Sequence, residues 1–479
     1  MRTKRKWLAA GVCLLLVQTM LFGACGKKPA EVDPSVSGSE VGSDELQGLV
    51  PTRDMGDRDF VILSDIGDMM SFHDYTGVPV MDEEVNRTLY IEDRFHVVCK
   101  TTKAPTAGQA ATMLQQSELA GGGDYDLVYP HPTEGAELIL TAALLTDLTQ
   151  LSYLNLEREW YNQSQVREYV ANGKLYLATS DISVPGQGLN CLLFNRQLWA
   201  GYGFEEDLYQ TVKDGNWTIE HLTELVRQTG SATEDGSEGR IWGLSYRANI
   251  TASVMYALGG TILKKDGTGT FELAFDTRRL TDMSEKLSTL LYNTGNVTMG
   301  ESDNAGFPTS EYWLTFSGGR ALFFTMDIGQ LYNYLSELSF DVGYLPLPKL
   351  YETDSYQVNC ASGFFGIPAH APSLEESAII FESLSIYSYE HLKPVFFNSI
   401  LLGRLSEKPD DYDMLNYLHS IKIFDFGFTF DATNRIASNI LYNVVITGKQ
   451  NNASRAISAY LRGQKGYFDK LLESANSVE

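Results

Sequence analysis

The sequence predicts an α/β protein, with strands laid side by side and helices packed on the sheet faces. Two observations carry this. From residue 58 onward, short apolar runs alternate with segments of helical spacing, the order expected of βαβ units. The chain of 479 residues is 43% hydrophobic and 20% charged, an ordinary globular balance, and its body is long enough for two or three domain-sized units.

The elements follow in order. Phe60–Leu63 reads as a short buried strand, Val85–Phe95 as a helix and His96–Cys99 as a second strand. Thr106–Leu119 has helical spacing and stops at Gly121, Gly122 and Gly123. Asp126–Tyr129 is a strand closed by Pro130 and Pro132. In such sheets ligands sit beyond the carboxyl ends of the strands, which singles out Asp65 and His131. Leu175–Thr179 and Asn190–Phe194 are two further strands, joined by a loop with Pro185, Gly186 and Gly188. Thr218 suits the N-cap of a helix carrying Ile219, Leu222, Leu225 and Val226 on one face. Trp242 opens a strand, and Leu280, Met283, Leu287, Leu290 and Leu291 form a second helical stripe. Tyr312 and Trp313 fall in a loop-like stretch before the buried strand Ala321–Thr325. Gly363–Ile367 is another strand, and helical patterns dominate from Ser373 to the end.

The first residues have a different character. Lys4, Arg5 and Lys6 precede a mostly apolar run of 16 residues, Trp7–Phe22, and Gly23 and Ala24 lead into Cys25. The run is shorter than the roughly 20 residues of a membrane helix, and it has the layout of an export signal. With the cysteine after the small pair it resembles a bacterial lipoprotein signal, although Phe22 stands where Leu is commoner. That resemblance implies a signal peptide over 1–24, lipid (palmitate) on Cys25 and a place on the extracytoplasmic face of the cell membrane. Residues 25–57, rich in Gly, Ser, Pro, Asp and Glu, read as the lipidated cysteine and a flexible tether.

Charge and cysteine usage exclude several functions. The net charge is −24, and loss of 1–24 would remove Arg2, Lys4, Arg5 and Lys6, making it four charges more negative. Such a surface repels phosphate backbones, so no nucleic-acid partner is expected. Cys99, Cys191 and Cys360 each lie in an apolar segment and are too far apart for a zinc site; they read as buried free thiols. Asp235–Gly239 is too sparse for a calcium loop. No metal and no cofactor are expected.

Five segments, in order, resemble the family 1 extracellular solute-binding proteins of bacterial ABC importers. They are Asn172–Asp181, Leu193–Arg196, Val212–Thr218, Phe316–Phe323 and Asp341–Lys349; Arg87, Ile91, Glu92, Arg94 and Phe95 match the family's first helix. The resemblance implies a two-lobed periplasmic-binding-protein-like (type II) fold with crossover hinge strands, similar in architecture to maltose-binding protein. One lobe would comprise 58–182 plus 328–370, and the other 188–325 plus 373–479. Crossings would fall near Asp181–Gly188, Thr325–Gly329 and His370–Ser373. The implied function is capture of a carbohydrate, an oligosaccharide, by lobe closure and its delivery to ABC permease transmembrane subunits, with the chain a monomer and not an enzyme. The alternatives are an extracellular glycosidase, which needs two carboxylates about 5 to 9.5 Å apart across a bond, and a binding protein that presents ligand to a membrane sensor.

Sugar clefts combine aromatic faces with carboxylates and amides for the hydroxyls. The ligand-binding candidates are Trp160, Asp181, Trp242, Tyr246, Trp313, Asp327, Asp65 and His131, with Tyr161 and Tyr312 as further aromatics. Trp199 and Trp217 sit in or beside helices and read as packing residues.

Overall fold

The computed structural model describes residues 48–65, 67, 69–70, 73–132, 135–183, 188–230, 239–300, 310–331, 334, 338–360, 363–400, 409–431, 435–448 and 453–478. Cys25, the expected signal peptide and most of the expected tether lie outside the described residues, as do Pro185, Gly186 and Asp235–Glu238.

The first sheet is built from β1 (Arg58–Ser64), β2 (Val97–Lys103) and β3 (Leu127–Tyr129), with α1 (Pro79–Phe95) and α2 (Gln109–Ala120) between them. The strands are parallel in the order β2-β1-β3, as the alternation predicts. Helix α1 starts at Pro79, ahead of the expected Val85. Proline at the first helical position loses no helical hydrogen bond, and the Asp82 carboxylate accepts from the amides of Thr76 at 2.6 Å and Gly77 at 3.1 Å. Val80, Val85, Ile91 and Phe95 form the buried stripe of α1. Helix α2 ends at Gly121, whose φ of 115° is open only to glycine at low cost. After α3 (Gln163–Tyr169) comes β4 (Ala178–Thr179), so only the end of the expected strand Leu175–Thr179 pairs.

The second sheet comprises β5 (Asn190–Asn195), β6 (Trp242–Arg247), β7 (Val297–Gly300), β8 (Ala321–Asp327) and β9 (Val342–Leu345), in the order β9-β5-β8-β6-β7. Strand β5 is antiparallel to both β8 and β9, while β6 is parallel to β8 and β7. Helices α4 (Ile219–Gln228), α5 (Thr277–Ser288) and α6 (Glu311–Ser317) lie between these strands in sequence. The Thr218 hydroxyl caps α4 by accepting from the His221 amide. Trp217 is fully buried, its indole N–H donating to Pro346 O at 2.9 Å, and Trp199 stacks near Phe204, so both pack as expected.

The chain then returns through β10 (Val358–Asn359) to β11 (Phe364–Phe365), followed by α7 (Leu374–Tyr387), α8 (Lys393–Ile400), α9 (Pro409–Ser420) and β12 (Lys422–Ile423). β11 pairs with β4, and Gly366 bridges Val128 of β3, which ties this return to the first sheet. β12 pairs with β10. Two expected boundaries are corrected. Val342–Leu345, assigned with 328–370 to the first lobe, hydrogen-bonds to β5 in the second sheet. Helix α7 and its extension, assigned with 373–479 to the second lobe, pack on α1: Tyr387 donates to Glu83 at 2.8 Å and Arg87 donates to Ser388 at 3.1 Å. Strand partners and helix packing are non-local choices, and local apolar spacing does not encode which sheet an element joins. Further along, Arg196 after β5 pairs with Asp411 of α9 at 2.5 Å, holding that helix to the second sheet. Among the described residues no helix is long and apolar enough to cross a membrane.

Candidate functional site

At the carboxyl end of the first sheet, Asp65 follows β1 directly. Its carboxylate accepts from the Ala110 amide at 2.9 Å and the His131 amide at 3.1 Å. It therefore joins the first turn of α2 to the segment leaving β3, and brings Asp65 and His131 together through the main chain. Burial raises the Asp65 carboxyl above its ordinary value, and the amides pull it back down. Below it, Tyr129 stacks on Phe365 with ring centroids 4.5 Å apart.

The second sheet has a matching edge. Asp327 ends β8 and stands in register with Asn190, the first residue of the antiparallel β5. Arg247 ends β6, parallel to β8, so it reaches the same edge. Asp327 accepts from Gly329 N at 2.9 Å and Gly188 N at 3.2 Å. Burial pushes its carboxyl up to about 6, against the pull of these amides and of Arg247. The Asn190 amide donates to Ser253 Oγ at 2.9 Å. Arg247 and Asn190 are absent from the expected set; their cue is the one shared by Asp327, a polar residue at the last or first position of an apolar strand.

Four aromatic candidates lie against protein partners. Trp242 pairs with Ala321, at the far end of the sheet from Asp327, and the Arg240 guanidinium covers its ring at 4.0 Å. Tyr246 is buried, and its hydroxyl bonds with Thr251 Oγ1 at 2.9 Å. Trp313 is 0% exposed and packs between Phe316 and Phe324, with Tyr312 on the same side. The stretch expected to be a loop is helix α6, and its turn sends Tyr312, Trp313 and Phe316 inward. Trp160 is also buried. Its indole N–H donates to Glu382 at 3.2 Å, beside the Tyr161 hydroxyl at 2.7 Å and the Asn155 amide at 2.8 Å.

Asp181 lies apart from the sheet edges. It pairs with Lys393 at 3.0 Å on the wall of a cavity of about 380 Å³ that Trp160 and Tyr161 also line, and that Asp65, His131, Trp242, Tyr246, Trp313 and Asp327 do not. Cys99, Cys191 and Cys360 are buried free thiols. Burial drives the thiols of Cys99 and Cys191 above their ordinary range, which suppresses thiolate chemistry. Among the described residues no group of three or more His, Cys, Asp or Glu could hold a metal ion.

No protein-family profile matches the chain, and no curated protein matches it in sequence. Solved structures do match its fold. An ABC substrate-binding protein from Listeria monocytogenes in complex with cycloalternan superposes with a TM-score of 0.56 at 13% identity, over 87% of this chain and 99% of that one. The maltose/maltodextrin-binding domain from Bdellovibrio bacteriovorus bound to maltotriose gives 0.52 at 15% identity, over 85% and 99%. UgpB from Mycobacterium tuberculosis in complex with glycerophosphocholine gives 0.57 at 16%, over 87% and 99%. The chain has the two-lobed α/β fold of these binding proteins.

Proposed function

We propose that this chain is the substrate-binding component of an ABC importer and captures a carbohydrate, an oligosaccharide, between two lobes without reacting with it. The observation that carries the reading is the likeness of fold, spanning nearly the whole of each neighbour, to binding proteins that include complexes with cycloalternan and maltotriose. The lobes are taken as 58–182 with 363–400, and 188–345 with 409–478, each centred on one sheet. One end of each sheet supplies what sugar hydroxyls need: Asp65 and His131 in the first lobe, Asp327, Arg247 and Asn190 in the second. A ligand that touches both edges favours the closed arrangement, and closure is what a permease would read. Lipid on Cys25 would hold the chain at the outer face of the membrane, beside the permease, with the chain acting as a monomer.

Thermal unfolding of the purified chain against mono- and oligosaccharides tests this. A ligand that binds only the folded state, at 100 times its dissociation constant, adds about 2.7 kcal/mol. One sugar raising the midpoint by a few degrees, and recovered intact, supports capture. Recovery of a cleaved sugar would point to a glycosidase. A rise with glycerophosphocholine and with no sugar would move the ligand class to phosphodiesters, a reading that the UgpB neighbour motivates.

A further inference from the structure

A second site lies where the chain passes between the two sheets. The cavity of about 380 Å³ is walled by Thr179 of β4 and Asp181 just after it, Cys360 just after β10, Lys393 of α8, His419 of α9 and Lys422 of β12. Elements far apart in the chain thus meet on one cavity. This set is distinct from the sheet-edge residues assigned above to sugar.

Its chemistry is one-sided. Of the two carboxylate residues in the wall, Asp181 pairs with Lys393 at 3.0 Å. Lys422 projects a second ammonium group with no hydrogen bond among the described residues. Burial is the main cost to the Lys422 ammonium, and the charge of Lys393 adds to it, while Asp181 offsets part of that cost. Thr179 is 9% exposed, and its hydroxyl has no partner among the described residues; the same holds for His419 Nε2. A buried donor without an acceptor carries a desolvation cost that a bound acceptor would relieve. Arg167 and Glu159 also line the cavity, and their formal charges cancel. Donors therefore exceed acceptors here, in a chain whose overall charge is −24.

We propose that this cavity binds a small multivalent oxyanion, with Lys422 and Lys393 as its charged contacts and the Thr179 hydroxyl as a further donor. The volume suits a compact organic anion as well as an inorganic one with its waters. Charge-assisted hydrogen bonds to two ammonium groups supply the attraction. Because the contacts come from three separate elements, β4, α8 and β12, the bound anion ties them together and stabilises the folded chain.

The test is calorimetric titration of the purified chain with citrate and, separately, with inorganic phosphate, at constant ionic strength set with chloride. The expected result is saturable one-to-one binding of at least one probe. Its dissociation constant should rise tenfold or more in Lys422→Met and change little in Lys422→Arg. Citrate alone would assign a polycarboxylate, phosphate alone a phosphate group. No saturable heat with either probe in the native chain overturns the proposal, and that arm needs no variant to fold. Equal affinity in the native chain and Lys422→Met also overturns it. If Lys422→Met does not fold, Thr179→Val takes its place: weaker binding supports the site and unchanged binding overturns it. The sugar panel reads a different set of residues, so either result stands without the other.

Discussion

The Arg87 guanidinium, buried in α1, donates to the carbonyl of Ile182 at 2.7 Å. Ile182 lies at the start of the first passage between the sheets. The same side chain reaches Ser388 Oγ at 3.1 Å and the Met69 carbonyl at 3.2 Å, so one cation joins three distant segments. Among the described residues no carboxylate hydrogen-bonds to it, and burial lowers its pKa. Its three acceptors would be left unsatisfied by truncation. Arg87→Ala should therefore cost about 3 to 5 kcal/mol. Urea unfolding of the variant measures this, and a loss under 1 kcal/mol would remove Arg87 from the framework.

A second buried hub is Glu382 of α7, which collects Trp160, Tyr161 and Asn155. Burial is the main cause that raises its carboxyl above the ordinary range. Trp160→Phe keeps an aromatic ring but gives up one hydrogen bond and the indole's second ring, for a loss of about 1 to 3 kcal/mol. Glu382→Ala orphans three donors and should cost about 3 kcal/mol or more. If Trp160 packs rather than contacts sugar, the Phe variant binds the sugar as the native chain does; a tenfold loss of affinity would return Trp160 to the cleft.

Much of the fold was legible in local pattern. The runs at β1, β5 and β8 are apolar and end at polar residues, and Thr218 announced its helix. What local pattern misses is partnership. Nothing within Val342–Leu345 says that it pairs with Leu192–Asn195, and nothing within Leu374–Tyr387 says that it packs on α1. The aromatic candidates are ambiguous in the sequence for a related reason. Trp313 and Tyr246 are large amphipathic side chains, and their spacing fits a buried face as well as a cleft. Asp65 and Asp327 stand at strand ends because position along a strand is a local property. The cavity beside Asp181 was invisible, since its wall comes from segments as far apart as Thr179 and Lys422.

Asp327 predicts a pH dependence. The carboxyl ionises near its ordinary 3.8 in the unfolded chain and at about 6 in the fold. Between those values the folded state holds the extra proton, so stability is fullest below the lower value and falls as pH rises through the upper one. The loss is about 2 kcal/mol, allowing for the water that a partly exposed carboxyl still sees. Asp425, also raised to about 6, contributes in the same direction, so the informative quantity is a difference. Stability curves of the native chain and Asp327→Asn between pH 4 and 7.5 should diverge by about this amount; parallel curves would show that Asp327 does not titrate there.

The sheet-edge assignment makes the sharpest contrast, because Trp242 and Arg247 are the two ends of one strand. Arg247 shares its edge with Asp327 and Asn190, whereas Trp242 lies beside Ala321 under the Arg240 guanidinium. A hydrogen bond from a charged group to a sugar hydroxyl is worth about 1.5 to 3 kcal/mol, roughly 10- to 100-fold in affinity. Once the thermal panel has named a sugar, Arg247→Ala and Asp327→Ala should each weaken its binding by that factor, while Trp242→Ala leaves it within about twofold. Circular dichroism of each variant separates lost contact from lost fold. The opposite pattern, with Trp242→Ala alone abolishing binding in a folded chain, would move the cleft to the other end of β6 and require a different closing motion.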